Sequence, residues 1–169
     1  MASIELRNLD HSYGSLEDDG GFAIRDLNLV WDDGTPNALL GPSGCGKTTL
    51  LNIISGLLRP MGGQVLFDGV DVSQHSPRDR HIAQVFQFPV VYDTMTVFDN
   101  LAFPLRNRRE DEREVRARVA EIAELLDLGT VLTRSAGRLN PAQKQVVSLG
   151  RGIVRKDTAA VLLLSLIHI

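Results

Sequence analysis

The chain has 169 residues with 18 basic and 21 acidic side chains, a net charge of −3, and a single cysteine. That length suits one domain, since a domain of about 150 residues buries roughly 68 to 70% of its unfolded surface. The charge balance gives no support to a general nucleic-acid surface, which shows a basic excess. Lone Cys45 excludes an internal disulfide and fits a reducing compartment. The opening MASIELRNLD lacks the basic region and apolar core of a secretory signal, and no stretch reaches the roughly 18 apolar residues of a membrane span. A soluble, intracellular chain is expected.

Ser3 to Leu9 alternates Ile4 and Leu6 with Glu5 and Arg7, the period of a half-buried strand. Tyr13 follows, and then Glu17 to Gly21 reads as a turn. Phe22, Ile24, Leu27, Leu29 and Trp31 mark one or two further strand segments ending at Asp32-Asp33-Gly34. Two strands joined by a short turn predict an antiparallel sheet. Tyr13 is a candidate for stacking on a purine base, although on its own it reads better as a strand-end tyrosine packed on its neighbours.

Ala38, Leu39 and Leu40 predict a short buried strand, followed by a loop with Gly41, Gly44 and Gly46, then Lys47, Thr48 and Thr49 opening an apolar helix. This is the phosphate-cradling pattern G-x-x-x-x-G-K-[ST] in its strand-loop-helix context. Glycines let the backbone bend around an anion with its N–H groups pointing inward, and the positive end of the helix adds to the attraction. Pro42, Ser43 and Cys45 complete the loop; Cys45 reads as a small loop residue without chemistry of its own. Lys47 is placed to reach the outer phosphates and the Thr48 hydroxyl to hold a magnesium ion.

Pro60 to Gly63 ends that pattern, and Gln64 to Phe67 predicts a short strand into Asp68-Gly69. Asp71 to Arg80 reads as a polar loop, with Arg78, Asp79 and Arg80 as a solvated turn. His81 to Phe86 predicts a second buried strand ending at Gln87. A glutamine at the carboxyl end of a core strand lies where open α/β sheets bind ligands, and its amide could orient water and magnesium beside a phosphate. Spacing alone allows a surface glutamine equally well.

From Thr94 the periodicity turns helical, with Val97, Leu101 and Leu105 on one face and Val115, Val119, Ile122 and Leu126 on another. The mixed charges of Arg106 to Arg113 predict a solvated connection, and Gly129 is expected to close the second helix. At Leu139-Asn140-Pro141-Ala142-Gln143, Asn140 is a favoured N-cap, Pro141 a favoured first residue, and Gln143 is spaced for a capping box. Its exposed amino end would be a second anion site, although capping alone accounts for the residues. Ala159 to Leu164 predicts another buried strand.

Taken in order, Tyr13, Gly41 to Thr49, Gln87 with Phe88-Pro89, Asp99 to Leu105, and Leu139 to Gln143 resemble the ATP-binding subunit of an ABC transporter, from the start to about Leu163. The run Ile82 to Pro89 and the phrase Asp93 to Val97 resemble most the carbohydrate-importer branch, closest to glycerol or glycerol-3-phosphate importers. The resemblance implies that Tyr13 stacks on adenine, that Gly41 to Thr49 is the Walker A motif with Lys47 on the β and γ phosphates and Thr48 on magnesium, and that Gln87 senses the γ-phosphate and touches the metal. It implies further that the segment after Gln87 contacts the permease. Leu139 to Gln143 stands where the family carries Leu-Ser-Gly-Gly-Gln, which touches ATP held by the opposite subunit.

Two departures stand out. Asn140 replaces serine, and Pro141 and Ala142 replace both glycines, which restricts how closely a phosphate can approach the backbone. This predicts pairing with a second, non-identical ATPase subunit. After Leu163 the family has a metal-binding aspartate and a water-polarising glutamate, whereas here Leu164, Ser165 and Leu166 follow; Leu164 to Ile169 is expected to be a non-native tail on a C-terminally incomplete domain.

The expected fold is therefore an α/β P-loop NTPase core of the ABC type with an N-terminal antiparallel β subdomain. One nucleotide-binding domain over 1–163 would comprise a core of 1–87 and 144–163 and a helical subdomain over 88–143. The implied function is ATP binding and hydrolysis driving import of a small carbohydrate or polyol, with ATP and Mg²⁺ as cofactors. Permease subunits and a second ATPase subunit are the expected partners, nucleic acid is not, and the inner face of the plasma membrane is the expected location. A chain without the Asp-Glu pair is expected to bind nucleotide with little turnover. A non-hydrolysing regulatory module or a non-transport ABC ATPase are the alternatives.

Overall fold

The computed structural model describes residues 2–13 and 22–164. They fall into two compact units, within Met1–Ile82 and Ala83–Ile169.

The first unit is built on a four-stranded sheet in the order β2-β1-β3-β4, with β1 (Ile4–Ser12), β2 (Phe22–Trp31), β3 (Gly62–Phe67) and β4 (Val70–Asp71). All three pairings are antiparallel, as the alternation in β1 and β2 predicted. Central strand β1 sets Ile4 between Trp31 and Phe67, and Leu6 between Leu29 and Val65. Ile4 and Leu6 are buried; two residues on, the register shifts and the buried positions become Leu9 and His11. The cause is a bulge at Asn8, whose φ of 45° lies in the left-handed region. Its amide N–H donates to Asn28 Oδ1 at 2.8 Å and its side chain donates to Asp26 Oδ1 at 3.0 Å. An inserted residue reverses which face each later side chain takes.

Helix α1 (Lys47–Ser55) buries Leu50, Ile53 and Ile54. It ends at Gly56, whose φ of 81° suits glycine. Near its carboxyl end lies a residue expected in solvent. Arg80 is 2% exposed, and its guanidinium donates to the carbonyls of Ile53 at 2.6 Å, Ile54 at 3.0 Å, Ser73 at 2.9 Å and His75 at 3.2 Å. Arg78 and Asp79 do remain exposed. Helix α1 has no basic residue in its own last turn, so a cation from a distant loop meets the partial negative charge of its final carbonyls.

The strand expected at Ala38 to Leu40 is not formed: these residues are irregular, and Leu40 is 86% exposed. A strand exists only through a ladder with a neighbour, and the four-stranded sheet does not include this segment. The turn expected over Glu17 to Gly21 lies outside the described residues.

In the second unit, β5 (Ile82–Val85), which starts at the last residue of the first unit, pairs with β6 (Ala160–Leu163). In β6 only Leu162 is buried and Leu163 is exposed, so this strand is less enclosed than its composition suggested. Helices α2 (Val97–Arg106), α3 (Glu112–Leu125) and α4 (Pro141–Ile153) enclose one apolar cluster in which Val97, Leu101, Leu105, Val115, Val119 and Val147 are almost fully buried. A Cβ on Gly150 of α4 would lie 2.6 Å from the Leu101 side chain, so a small residue is needed where α4 crosses α2. Thr96 caps α2 and Asp111 caps α3. Between them Arg106 bridges Asp99 at 2.9 Å and Glu112 at 2.7 Å on the surface, in keeping with a solvated connection.

Gly129 does not close α3. The left-handed residue is Asp127, with φ of 53°; its N–H bonds the Glu124 carbonyl and the Leu128 N–H bonds that of Ala123. This is the paired closure that ends many helices. Leu128 is buried, and Gly129 instead starts a short 3-10 turn, Gly129–Val131.

Candidate functional site

Between β2 and α1 the chain folds into a loop whose tightest points are Gly44, with φ of 82°, and Gly46, with φ of 91°. At Gly46 a side chain is excluded twice, because the backbone is left-handed and a Cβ would sit 2.3 Å from the Ala23 carbonyl oxygen. At Gly41 a Cβ would meet Cys45 Sγ at 2.7 Å. Gly46 is also the N-cap of α1 and offers no side-chain cap. The Leu50 N–H bonds the Gly46 carbonyl at 2.8 Å, and the amides before it receive no cap from the side chain of the N-cap residue.

Lys47 opens α1 and folds back over the loop, its ammonium donating to the carbonyls of Gly41 and Pro42, both at 2.7 Å, with Cys45 Sγ at 3.5 Å. Pro42, Ser43 and Cys45 are exposed, and a turn from the Cys45 N–H to the Pro42 carbonyl holds their order. Thr48 is exposed, whereas Thr49 is buried and its hydroxyl lies 3.1 Å from the Tyr13 hydroxyl. Tyr13 is thereby fixed to the helix that the loop opens, although its side chain remains 68% exposed. No acidic residue lies between Asp33 and Asp68. A cationic, carboxylate-free loop with uncapped amides fits a polyphosphate. For a magnesium ion this unit supplies the Thr48 hydroxyl, and among the described residues no cluster of three His, Cys, Asp or Glu side chains could hold a metal alone.

Gln87 belongs to the second unit, exposed just beyond β5. The segment after it is held by its backbone. Gln145 donates to the Phe86 carbonyl at 3.0 Å, Ser148 Oγ accepts from the Val90 N–H at 3.4 Å, and Arg151 donates to the Val90 carbonyl and lies 4.5 Å from the centre of the Tyr92 ring. Buried Asn100 closes the far end, accepting from the Tyr92 N–H at 2.8 Å and donating to its carbonyl at 3.0 Å. With its backbone engaged by α4 and α2, the segment exposes Phe86, Phe88, Val90 and Tyr92. The supporting roles of Asn100 and Arg151 left no mark in the sequence pattern.

At the start of α4 the expected capping box is present. Asn140 Oδ1 accepts from the Gln143 N–H at 2.8 Å, Gln143 Oε1 accepts from the Asn140 N–H at 3.2 Å, and Pro141 is the first helical residue. Leu139 is buried, and Asn140, Ala142 and Gln143 line a cavity of about 310 Å³ with Asp127, Leu128 and Val146.

Residues 24–164 match the family model described as ABC transporter. The trehalose import ATP-binding protein SugC of Mycobacterium tuberculosis is 43% identical over 159 residues, covering 94% of this chain and 39% of the relative. The sn-glycerol-3-phosphate import ATP-binding protein UgpC 1 of Rhizobium etli is also 43% identical, over 94% of this chain and 44% of its own length. The chain therefore spans well under half of these relatives. Among solved structures, a nucleotide-free ATP-binding cassette from an ABC transporter superposes with a TM-score of 0.79 at 26% identity, covering 96% of this chain and 68% of that one. No helix among the described residues is long and apolar enough to cross a membrane. The α/β cassette fold, the glycine-rich loop opening α1 and the match over residues 24–164 agree on one conclusion: the chain belongs to the ABC transporter family.

Proposed function

We propose that the chain is the nucleotide-binding part of an ATPase subunit that energises an importer for a small carbohydrate or polyol, peripheral on the inner face of the membrane. The observation that carries the reading is the loop at Gly41–Thr49, where Gly46 admits no side chain and supplies no side-chain cap to α1, and the Lys47 ammonium lies on the loop carbonyls. In this reading the amides and Lys47 bind the phosphates, Thr48 completes the shell of a nucleotide-bound Mg²⁺, and Tyr13 stacks on the base. Lys47 exchanges its two loop carbonyls for phosphate oxygens, which strengthens a charge-assisted bond. Bound nucleotide supplies a phosphoryl group for transfer to water, a reaction driven by positioning and charge stabilisation.

Gln87 would orient that water and touch the metal, and the exposed strip Phe86, Phe88, Val90 and Tyr92 would meet the permease. The 1–87 and 144–163 segments would act as the nucleotide core and 88–143 as the helical part. Leu164, Ser165 and Leu166 offer no group to polarise water, so this chain is proposed to bind nucleotide with little turnover. The Asn140-Pro141-Ala142 variant is proposed to face a second, non-identical ATPase subunit; an active symmetric assembly of the full-length protein with permease alone would defeat that part. The import of trehalose and glycerol phosphate by relatives supports a carbohydrate-class cargo.

Calorimetric titration with MgATP tests the reading. Lys47→Ala in the full-length protein should weaken binding roughly ten- to a hundredfold, the worth of a charge-assisted bond, and abolish transport. Unchanged affinity and transport would overturn the assignment.

A further inference from the structure

We infer that His11 is a positioning residue which sets the Tyr13 ring against α1 and so determines how much the base of a nucleotide contributes to affinity. The inference rests on the nucleotide reading above and deepens it.

The bulge at Asn8 is the origin of the arrangement. Without it the face that buries Ile4 and Leu6 would continue through even-numbered positions; after it Leu9 and His11 turn inward. His11 is 7% exposed, and neither Nδ1 nor Nε2 has a hydrogen-bond partner among the described residues. An aliphatic side chain would fill such a position without the penalty of enclosing two polar nitrogens. What the imidazole does engage is Tyr13: the ring centroids lie 5.0 Å apart with planes at 86°, an edge-to-face pair of the kind aromatic quadrupoles favour.

Tyr13 is thus held at two points, by the His11 ring and by the Thr49 hydroxyl at 3.1 Å. A single hydrogen bond at the tip would let the ring plane turn about it; a perpendicular neighbour opposes that turn. The Tyr13 side chain is nevertheless 68% exposed. A ring fixed in orientation before a ligand arrives, with area still open, loses less freedom on stacking, which is how preorganisation raises affinity. Thr49 is the third residue of α1, directly after Lys47 and Thr48, so the same helix start orients the ring and the phosphate-facing groups.

The test compares MgATP with inorganic tripolyphosphate, which has the charge but no base, by calorimetry on the full chain. The unaltered protein should bind both, ATP more tightly, and Tyr13→Leu should remove that preference without changing tripolyphosphate binding. His11→Leu should weaken ATP about three- to tenfold, the scale of an aromatic edge contact, and leave tripolyphosphate unchanged. His11→Phe, which keeps an aromatic edge, should restore ATP affinity, and His11→Leu should add nothing in a Tyr13→Leu background. Equal loss for both ligands, loss for neither, or no rescue by phenylalanine would overturn the role. Binding of tripolyphosphate without any preference for ATP would overturn it while leaving the phosphate loop intact. Failure of the unaltered chain to bind either ligand would overturn the nucleotide reading and this inference together.

Discussion

Replacing Arg80 should be the most damaging change to the first unit that touches no proposed ligand group. The guanidinium donates four hydrogen bonds to backbone carbonyls at the end of α1 and in the 73–75 loop. A bond to a charged group is worth about 1.5–3 kcal/mol net. Two terms reduce the sum. Ile53 O keeps a second donor in the Gly56 N–H at 3.1 Å, and the burial that pulls the Arg80 pKa down from its usual range is itself a cost that Arg80→Met removes. A net loss of about 2–4 kcal/mol for Arg80→Met follows, against a total stability of about 5–15 kcal/mol for a domain. With a urea dependence of about 2 kcal/mol per M, the midpoint should fall by about 1–2 M. Arg80→Lys keeps the charge but not the fork and should lose about half as much. Exposed Arg78→Met is the control, expected within about 0.5 kcal/mol of the unaltered chain. Lys47 and Thr48 lie at the opposite end of α1, so molecules that remain folded should bind nucleotide almost as before. An Arg80→Met midpoint equal to that of Arg78→Met would refute the reasoning.

Gly46→Ala should abolish nucleotide binding and cost at least 2 kcal/mol, approximately the sum of a left-handed backbone penalty and a displaced Ala23 carbonyl; titration and urea unfolding would show both, and a wild-type result in either would contradict the loop geometry. Asp127→Gly should stabilise the second unit by about 0.5–1 kcal/mol, because an exposed residue in the left-handed C′ position of α3 gains from glycine; a loss of stability would contradict the closure described for that helix. The carboxyl of Asp99 is held below its ordinary range by the Thr96 hydroxyl first and then by Arg106. A lowered folded-state pKa gives stability that is full above the unfolded value and lost as pH falls through the folded one. The unit should therefore weaken below about pH 4, by less in Thr96→Val than in the unaltered chain when midpoints at pH 7 and pH 3 are compared.

What the sequence makes legible here is local. The glycine-rich turn that opens α1 is legible because Gly46, Lys47 and Thr48 are defined by neighbours within a few residues, and the α4 cap because Asn140 and Gln143 answer each other across one turn. The sheet of the first unit follows from the alternation in β1 and β2, up to the bulge at Asn8. Arg80 escapes the same reading, since its partners Ile53 and Ile54 lie 27 and 26 residues away and a charged residue beside Pro77 looks like any solvated turn. One signal existed: α1 ends without a basic residue of its own, which leaves its last carbonyls open to a cation from elsewhere. Gly129 misled because glycine is the common terminator, whereas the closure here depends on buried Leu128 reaching the apolar cluster, which places Asp127 in the left-handed position. Ala38 to Leu40 misled because apolar composition predicts burial only where a ladder partner is provided.

The amino ends of α1 and α4 differ in what they leave unbonded. At α1 the N-cap is a glycine, so it supplies no side-chain oxygen to cap the first amides, and a lysine stands beside them. At α4 the Asn140 N–H goes to Gln143, the Gln143 N–H goes to Asn140, and the Lys144 N–H goes to the Asn140 carbonyl. Pro141 has no N–H, which leaves Ala142 as the uncommitted amide of that turn. Lys144, in the first turn of α4, is paired with Asp93 at 2.8 Å. A phosphate reaching α4 would have to displace the capping box, losing about 1 kcal/mol of helix stability, before meeting a comparable number of donors. The same turn with serine and two glycines would keep a hydroxyl and one additional amide, that of position 141, available. This physical asymmetry between the two ends is what the proposed function rests on when it assigns nucleotide to α1, a weak contribution to α4, and an intact signature to a non-identical partner.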